Sequence, residues 1–400
     1  MGRKEKLQAT TEPARRAILV AVSSQKQAAA KTWEYLDELS FLAKTIRIET
    51  VCLFTQNLLH PDARTYTGKG KLEELRGYIL AYPVDMIIYD DELTPLQFRS
   101  IEKAFPNVRI LDRGLLILEV FNKRATSARS KLQVQLARLQ YLYPRLARNQ
   151  PAEGNQGSDG KLGKSGETEL ENSRQTMKDR IALLKDKLKK TDQQSVTQRQ
   201  QRNGIVRVTL VGYTNVGKST LMRHLSKADV YIKNELFATV DSTVRNVQID
   251  NLSFLLTDTV GFIRKLPELL IDSFKSTLDE VREADILLHV ADISHPACEE
   301  QIAVVQKTLA EIGADQIATL LIYNKTDLLK PEELEGRDRQ QPTEPSAAAT
   351  GEYGNEVFIS VEKGYNMQNM HKMLAAMILE KQLHMYAYKP PVLIFNHNGF

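Results

Sequence analysis

The sequence predicts an α/β protein in two parts with a helical hairpin between them, and three observations carry that prediction. Strand-like apolar runs alternate with helical stretches across residues 17–122. Two apolar seams with spacings of three and four then flank a break rich in Gly and Ser. A second alternating region begins at Ile205, and its first strand runs directly into a Gly- and Lys-containing loop. The composition agrees: 400 residues, 42% hydrophobic and 26% charged, are ordinary for a globular chain of two or three domains.

Taken in order, "AILVAVS" reads as a strand, "TWEYLDELSFLAK" as an amphipathic helix and "RIETVCLF" as a second strand. A helix is expected from about Lys71 to Tyr82, then the strand "VDMIIYDD", the helix "PLQFRSIEKAF" and the strand "VRILD". The pattern changes at Lys123. Leu132, Leu136, Leu139, Tyr143 and Leu146 mark one helix face, and Met177, Ile181, Leu184 and Leu188 mark another. Joined by "NQPAEGNQGSDGKLGKSGETE", the two seams suggest an antiparallel hairpin. In the last part, strands are expected at "IVRVTLV", "SFLLT", "ILLHVAD", "TLLIYNK" and "VFIS", and residues 336–352 read as a low-complexity surface insertion. The expected division is 1–122 for the N-terminal α/β domain, 123–203 for the hairpin, 204–385 for the second α/β domain and 386–400 for a tail.

Several classes are disfavoured. No apolar run approaches the roughly 18 residues of a membrane span. The polar start "MGRKEKLQATTEPARR" carries two acidic residues and resembles neither a secretory nor a transit peptide. Cys52 and Cys298 stand far apart, without disulfide or metal spacing, as expected of reduced thiols in a cytoplasmic protein. The net charge is only +4, yet residues 123–149 hold seven Lys/Arg and no acid, and residues 174–202 hold nine bases against three acids. Such clustering points to a polyanionic partner.

Two stretches contain Gly-Lys-Ser. "GSDGKLGKS" at 157–165 has Ser158 where a phosphate loop needs Gly, and no strand precedes it, so it reads as a loop that orders against a partner. Gly212, Tyr213, Thr214, Asn215, Val216, Gly217, Lys218 and Ser219 satisfy the full pattern between a strand and a helix. There, backbone N–H groups would cradle a β-phosphate, Lys218 would bridge β- and γ-oxygens, and Ser219 would bind Mg²⁺. In "LLTDTVGF", Asp258 ends a strand and reaches Mg²⁺ through water, while Thr259, Val260 and Gly261 lead to an amide that senses the γ-phosphate. Asn324, Lys325, Thr326 and Asp327 follow another strand. Guanine offers an N1–H and an exocyclic NH₂ side by side, and the Asp327 carboxylate accepts from both, so the ligand is GTP rather than ATP. Ser360, Val361 and Glu362 would brace the base from the other side. A Thr between the phosphate loop and Asp258 must reach Mg²⁺, and Thr239 and Thr243 are both candidates.

These residues carry a family resemblance. "GYTNVGKSTL", "ADVYIKNELFATVDSTVR", "TDTVGFIRKLPELLIDSFKSTLDEVREADILLHV" and "NKTDLL" resemble the HflX family of bacterial ribosome-associated GTPases, as do "TYTGKGKLEEL", "KLQVQLARLQYLYPRLAR" and "GETELE" outside the GTPase (G) domain. The resemblance implies a P-loop GTPase domain preceded by an N-terminal α/β domain and a helical arm. It implies Thr239 as the switch threonine, within Phe237, Ala238, Thr239, Val240 and Asp241, and makes Lys218 and Thr239 the residues expected to serve hydrolysis. It also implies docking on the large ribosomal subunit and its rRNA, with separation of stalled ribosomes; ribosome biogenesis or gating of a protein partner would be the alternatives. The chain departs from the family at Lys164-Ser165, where its linker reads Gly-Pro-Gly-Glu-Thr, and at Ser173-Arg174-Gln175, where an Asp-Arg-Arg cluster is usual. Phe262 stands where many GTPases carry a water-orienting Gln, so hydrolysis is expected to be slow until a partner binds. Asn215 is a candidate ligand for K⁺ beside the phosphates. A monomer is expected.

Overall fold

The structure is a computed structural model that describes residues 14–23, 29–146, 174–191, 204–226, 237, 243–265, 275–330 and 356–387. The chain divides into two compact units, one drawn from residues 1–123 and 137–181, the other from 124–136 and 182–400. Among the described residues no helix is long and apolar enough to cross a membrane.

The first unit is built on β1 (Arg15–Ser23), α1 (Ala29–Thr45), β2 (Ile48–Asn57), α2 (Lys69–Ala81), β3 (Met86–Tyr89), α3 (Pro95–Ala104), β4 (Arg109–Asp112) and α4 (Arg113–Arg124). The strands lie in the order β2-β1-β3-β4 and all pair in parallel. The continuous apolar run in β1 follows from that position, because a central parallel strand is covered on both faces and Ala17 to Ala21 are all buried. Helix α3 starts where the sequence dictates: the Thr94 hydroxyl accepts from Gln97 N–H, the Gln97 side chain accepts from Thr94 N–H, and Pro95 occupies the first turn.

Two buried ion pairs mark the carboxyl ends of β3 and β4. Arg113 pairs with Asp90 at 2.8 Å and with Glu38. Asp112 accepts from Leu93 N–H, Leu115 N–H, the Tyr141 hydroxyl and Arg145. Arg145 belongs to α5 (Ala128–Leu146), and its guanidinium lies 4.1 Å from the Tyr141 ring centre and 4.9 Å from that of Phe98. Burial raises the Tyr141 pKa, so this hydroxyl stays protonated and donates. The base clustering before residue 149 thus overstates the free positive charge, because Arg145 is committed to Asp112.

Helix α5 buries a wider arc than the expected seam. Leu136 of the seam is buried and Leu132, Leu139 and Tyr143 are half-buried, but Ser130, Gln133, Val134, Ala137 and Tyr141 are buried as well. The helix is covered on more than one side, and a wide buried arc need not centre on its leucines. Helix α6, residues 174–191, follows its expected seam closely: Leu184 and Leu188 are buried, and Met177 and Ile181 are half-buried.

The second unit contains β5 (Arg207–Gly212), α7 (Lys218–Ser226), β6 (Thr243–Ile249), β7 (Leu252–Asp258), α8 (Lys275–Arg282), β8 (Ile286–Asp292), α9 (Cys298–Glu311), β9 (Ala318–Asn324), β10 (Glu356–Phe358) and α10 (Met367–Ala387). The sheet order is β10-β9-β8-β5-β7-β6, parallel throughout except for antiparallel β6. The sequence reading had no strand at β6, whose "TVRNVQI" is rich in polar residues because it forms the edge beyond β7. The central strands β5 and β8 are buried along nearly their whole length, which sets their carboxyl ends as a rigid platform.

Candidate nucleotide site

The loop after β5 is shaped by residues with left-handed backbone. Gly212 has φ +145°, and a Cβ there would collide with the Val290 carbonyl of β8. Asn215 (φ +64°) and Gly217 (φ +101°) complete the curl, and a Cβ on Gly217 would strike the Asn324 amide. Lys218 opens α7 and is only 6% exposed; its Nζ donates to the carbonyls of Gly212 at 2.9 Å and Tyr213 at 2.5 Å. Burial pushes its pKa down to about 8, with Asp258 acting in the opposite direction. The amine therefore sits inside the loop, next to the helix N-terminus, where an anion gains from both.

Beside it, the Ser219 hydroxyl and Asp258 Oδ2 are 2.7 Å apart. These are hard oxygen donors of the kind a small divalent cation takes. The Thr259 hydroxyl donates to Leu210 O at 2.7 Å and fastens the chain beyond β7 to β5. Gly261 follows, and a Cβ there would come within 3.0 Å of Lys218 Nζ and of the Thr214 Cα. Phe262 is 3% exposed and packs with Val211, Val281 and Leu287, so its ring is a core residue and takes no part in polar contacts. Val260 is half-buried.

At the far end of the platform, β9 delivers Asn324. Its Nδ2 donates to Val216 O at 2.9 Å, and its Oδ1 accepts from Val361 N–H at 3.1 Å, so one side chain ties the phosphate loop to the 360 loop. Lys325 takes φ +67° and pairs with Asp292 at 2.6 Å. Thr326 N–H donates to Ile359 O. The Asp327 carboxylate is exposed, and its Oδ1 accepts from the buried Ser360 hydroxyl at 2.6 Å; Ser360 Oγ in turn accepts from Lys363 N–H. Glu362 is exposed beside it. Sequence reasoning missed Asp292, which anchors Lys325 and is itself held by Ser294. The available signal was its place at the end of β8, in register with Asn324.

Of the expected switch residues, Phe237 is buried, while Ala238, Thr239, Val240 and Asp241 lie outside the described residues, as does the 157–165 stretch. Thr243 opens β6 opposite Asp258, on an exposed edge.

A phosphate loop and a carboxylate-bearing turn, held in one frame by Asn324 across the ends of parallel strands, define a P-loop GTPase. Comparison with known proteins narrows the class. The family model described as 50S ribosome-binding GTPase matches residues 207–325, that of the GTP-binding GTPase N-terminal region matches 33–122, and that of the GTP-binding GTPase middle region matches 124–202. The GTPase HflX of Flavobacterium psychrophilum is 51% identical over 314 residues, 78% of this chain and 76% of that protein. The GTPase HflX of Caldanaerobacter subterraneus is 44% identical over 79% of this chain and 73% of the relative, and that of Escherichia coli K12 is 36% identical over 86% and 79%. The chain belongs to the GTPase HflX family. It binds GTP and hydrolyses it.

Proposed function

We propose that this GTPase works on the large ribosomal subunit, docking its basic helices on rRNA and separating or rescuing stalled ribosomes in a GTP-dependent cycle. The observation that carries the reading is α6. Lys178, Arg180, Lys185, Lys187, Lys189 and Lys190 are all exposed around a narrow apolar seam, against only Asp179 and Asp186. A helix of that kind suits RNA phosphates and binds with steep salt dependence. The description of the matched G-domain family as ribosome-binding supports the same partner.

In the cycle we propose, the amides of residues 212–219 cradle the β-phosphate, Lys218 turns from the Gly212 and Tyr213 carbonyls to phosphate oxygens, and Gly261 N–H meets the γ-phosphate. Asp327, oriented by Ser360, reads guanine, with Val361 and Glu362 beside the base. Ser219 and Thr239, with Asp258, would hold Mg²⁺, which would supply charge neutralisation at the phosphates. Asn215 would contribute to a K⁺ site, and turnover in KCl would then exceed that in NaCl. With the Phe262 ring locked in the core, no side chain at that position aligns water, and the subunit supplies the acceleration. The protein acts as a cytoplasmic monomer.

The test is co-sedimentation with ribosomes in GDP, GTP and a non-hydrolysable analogue, with light scattering to follow subunit separation. Analogue-dependent binding to large subunits and a fall in scattering are expected. Equal binding in GDP and the analogue, or GTPase turnover unchanged by added large subunits, would refute the reading.

A further inference from the structure

The Tyr213 side chain has no part in the site described above, yet it is nearly enclosed, at 5% exposure. Its hydroxyl accepts from Arg264 N–H at 2.8 Å. This bond closes a short extension of the sheet. Phe262 N–H donates to Gly212 O at 3.0 Å, Thr214 N–H donates to Phe262 O at 2.9 Å, and Tyr213 bridges Phe262 in parallel register. Between the Leu210–Asp258 pair and this bridge, β5 advances from 210 to 213 while its partner advances from 258 to 262. One extra residue must therefore bulge out, and the bulge contains Gly261, packed against Thr214 and Lys218 Nζ with no room for a side chain.

We infer that Tyr213 is a positioning residue: its hydroxyl clips the chain at Arg264 and so holds the Gly261 bulge beside the Lys218 amine. Phe262 N–H to Gly212 O and Thr214 N–H to Phe262 O are purely backbone, whereas two bonds come from side chains: the Thr259 hydroxyl ties the chain to Leu210 O ahead of Gly261, and the Tyr213 hydroxyl clips it beyond. Phe262 anchors the segment through its buried ring, and the clip fixes the direction in which the backbone leaves at Ile263 and Arg264. A fixed bulge presents the Gly261 amide to a γ-phosphate without prior ordering, whereas GDP, which ends at the β-phosphate, gains nothing from it. This inference rests on the proposed contact between Gly261 and the γ-phosphate.

Tyr213→Phe removes only the hydroxyl and keeps the ring. Amide exchange over residues 260–265 is measured for both proteins in GDP and in a non-hydrolysable GTP analogue, with calorimetric affinities for each nucleotide. The variant is expected to lose protection at the Arg264 amide and to bind the analogue about three- to tenfold more weakly, as the net worth of one hydrogen bond implies, with a smaller change in GDP affinity. Urea unfolding shows that the variant is folded. If exchange in the natural protein is identical with both nucleotides, the γ-phosphate contact itself is wrong and the inference falls with it. If the natural protein distinguishes them but Tyr213→Phe behaves identically to it, or loses GDP and analogue affinity equally, the clip alone is refuted.

Discussion

Replacing Asn324 by Ala tests how the two ends of the nucleotide site are kept in register. The side chain bonds Val216 O at 2.9 Å and Val361 N–H at 3.1 Å, and Val216 and Val361 are both buried. Losing it removes two hydrogen bonds and leaves a carbonyl and an amide in places water reaches poorly. At about 1 kcal/mol for each bond, plus a share of the desolvation cost of each orphaned group, the loss is about 2–4 kcal/mol. Because both bonds join parts of the protein to each other, most of the loss must appear as stability of the second unit, and the remainder as weaker GDP binding. Urea unfolding followed by amide exchange in β5 and β9 measures the first, and calorimetry the second. Asn324→Asp is the informative companion: it can still accept from Val361 but sets a buried carboxylate oxygen against Val216 O in place of a donor, so its loss of stability is expected to be at least as large. An Asn324→Ala protein within about 0.5 kcal/mol of the natural one would refute the reasoning, since two buried bonds cannot vanish at that cost.

Two further predictions address buried charge. His289 lies in β8, its Nδ1 has no hydrogen-bond partner among the described residues, and burial, then Lys218, lowers its pKa to about 3. The unfolded chain takes up a proton below about pH 6.5 that the folded protein refuses, so this contribution to stability is complete above that pH and is lost as pH falls toward 3, by about 1.4 kcal/mol per unit. His289→Leu is expected to flatten the dependence of unfolding free energy on pH between 6.5 and 4 by that amount; an unchanged slope would contradict it. Arg145→Met strands Asp112, which keeps Leu93 N–H, Leu115 N–H and the Tyr141 hydroxyl, so a loss near the low end for a broken buried pair, about 3 kcal/mol, is expected in the unfolding of the first unit.

The strands and the nucleotide motifs were legible because local sequence determines them. Gly at positive φ, Lys at the start of a helix and Asn-Lys-Thr-Asp after a strand are requirements of backbone and charge that no other residues meet as well. What escaped reading depends on partners distant in sequence. The polar face of β6 hides a strand that exists only because β7 offers an edge. Arg145 reads as a surface base until Asp112, thirty-three residues away, is brought against it. The width of the buried arc on α5 was not legible, because Gln133 and Ser130 are buried along with Leu136, and a periodicity in leucines cannot reveal the polar residues a helix also buries. Asp292 was overlooked for the same reason: its partner Lys325 comes from the neighbouring strand's end. Choosing Thr239 over Thr243 rested on the family resemblance, and Thr243 is placed on a sheet edge opposite Asp258.

The proposed choice of base by the Asp327 carboxylate is tested most directly by exchanging one of its oxygens. Asp327→Asn exchanges one acceptor oxygen for a donor NH₂, which suits the carbonyl that xanthine carries at position 2 and opposes the guanine amine. Calorimetry with guanosine and xanthosine diphosphates is expected to show the preference reversed in the variant, with Ser360 still holding the side chain. If Asp327→Asn still prefers the guanosine nucleotide as strongly as the natural protein, the assignment of the base site is wrong.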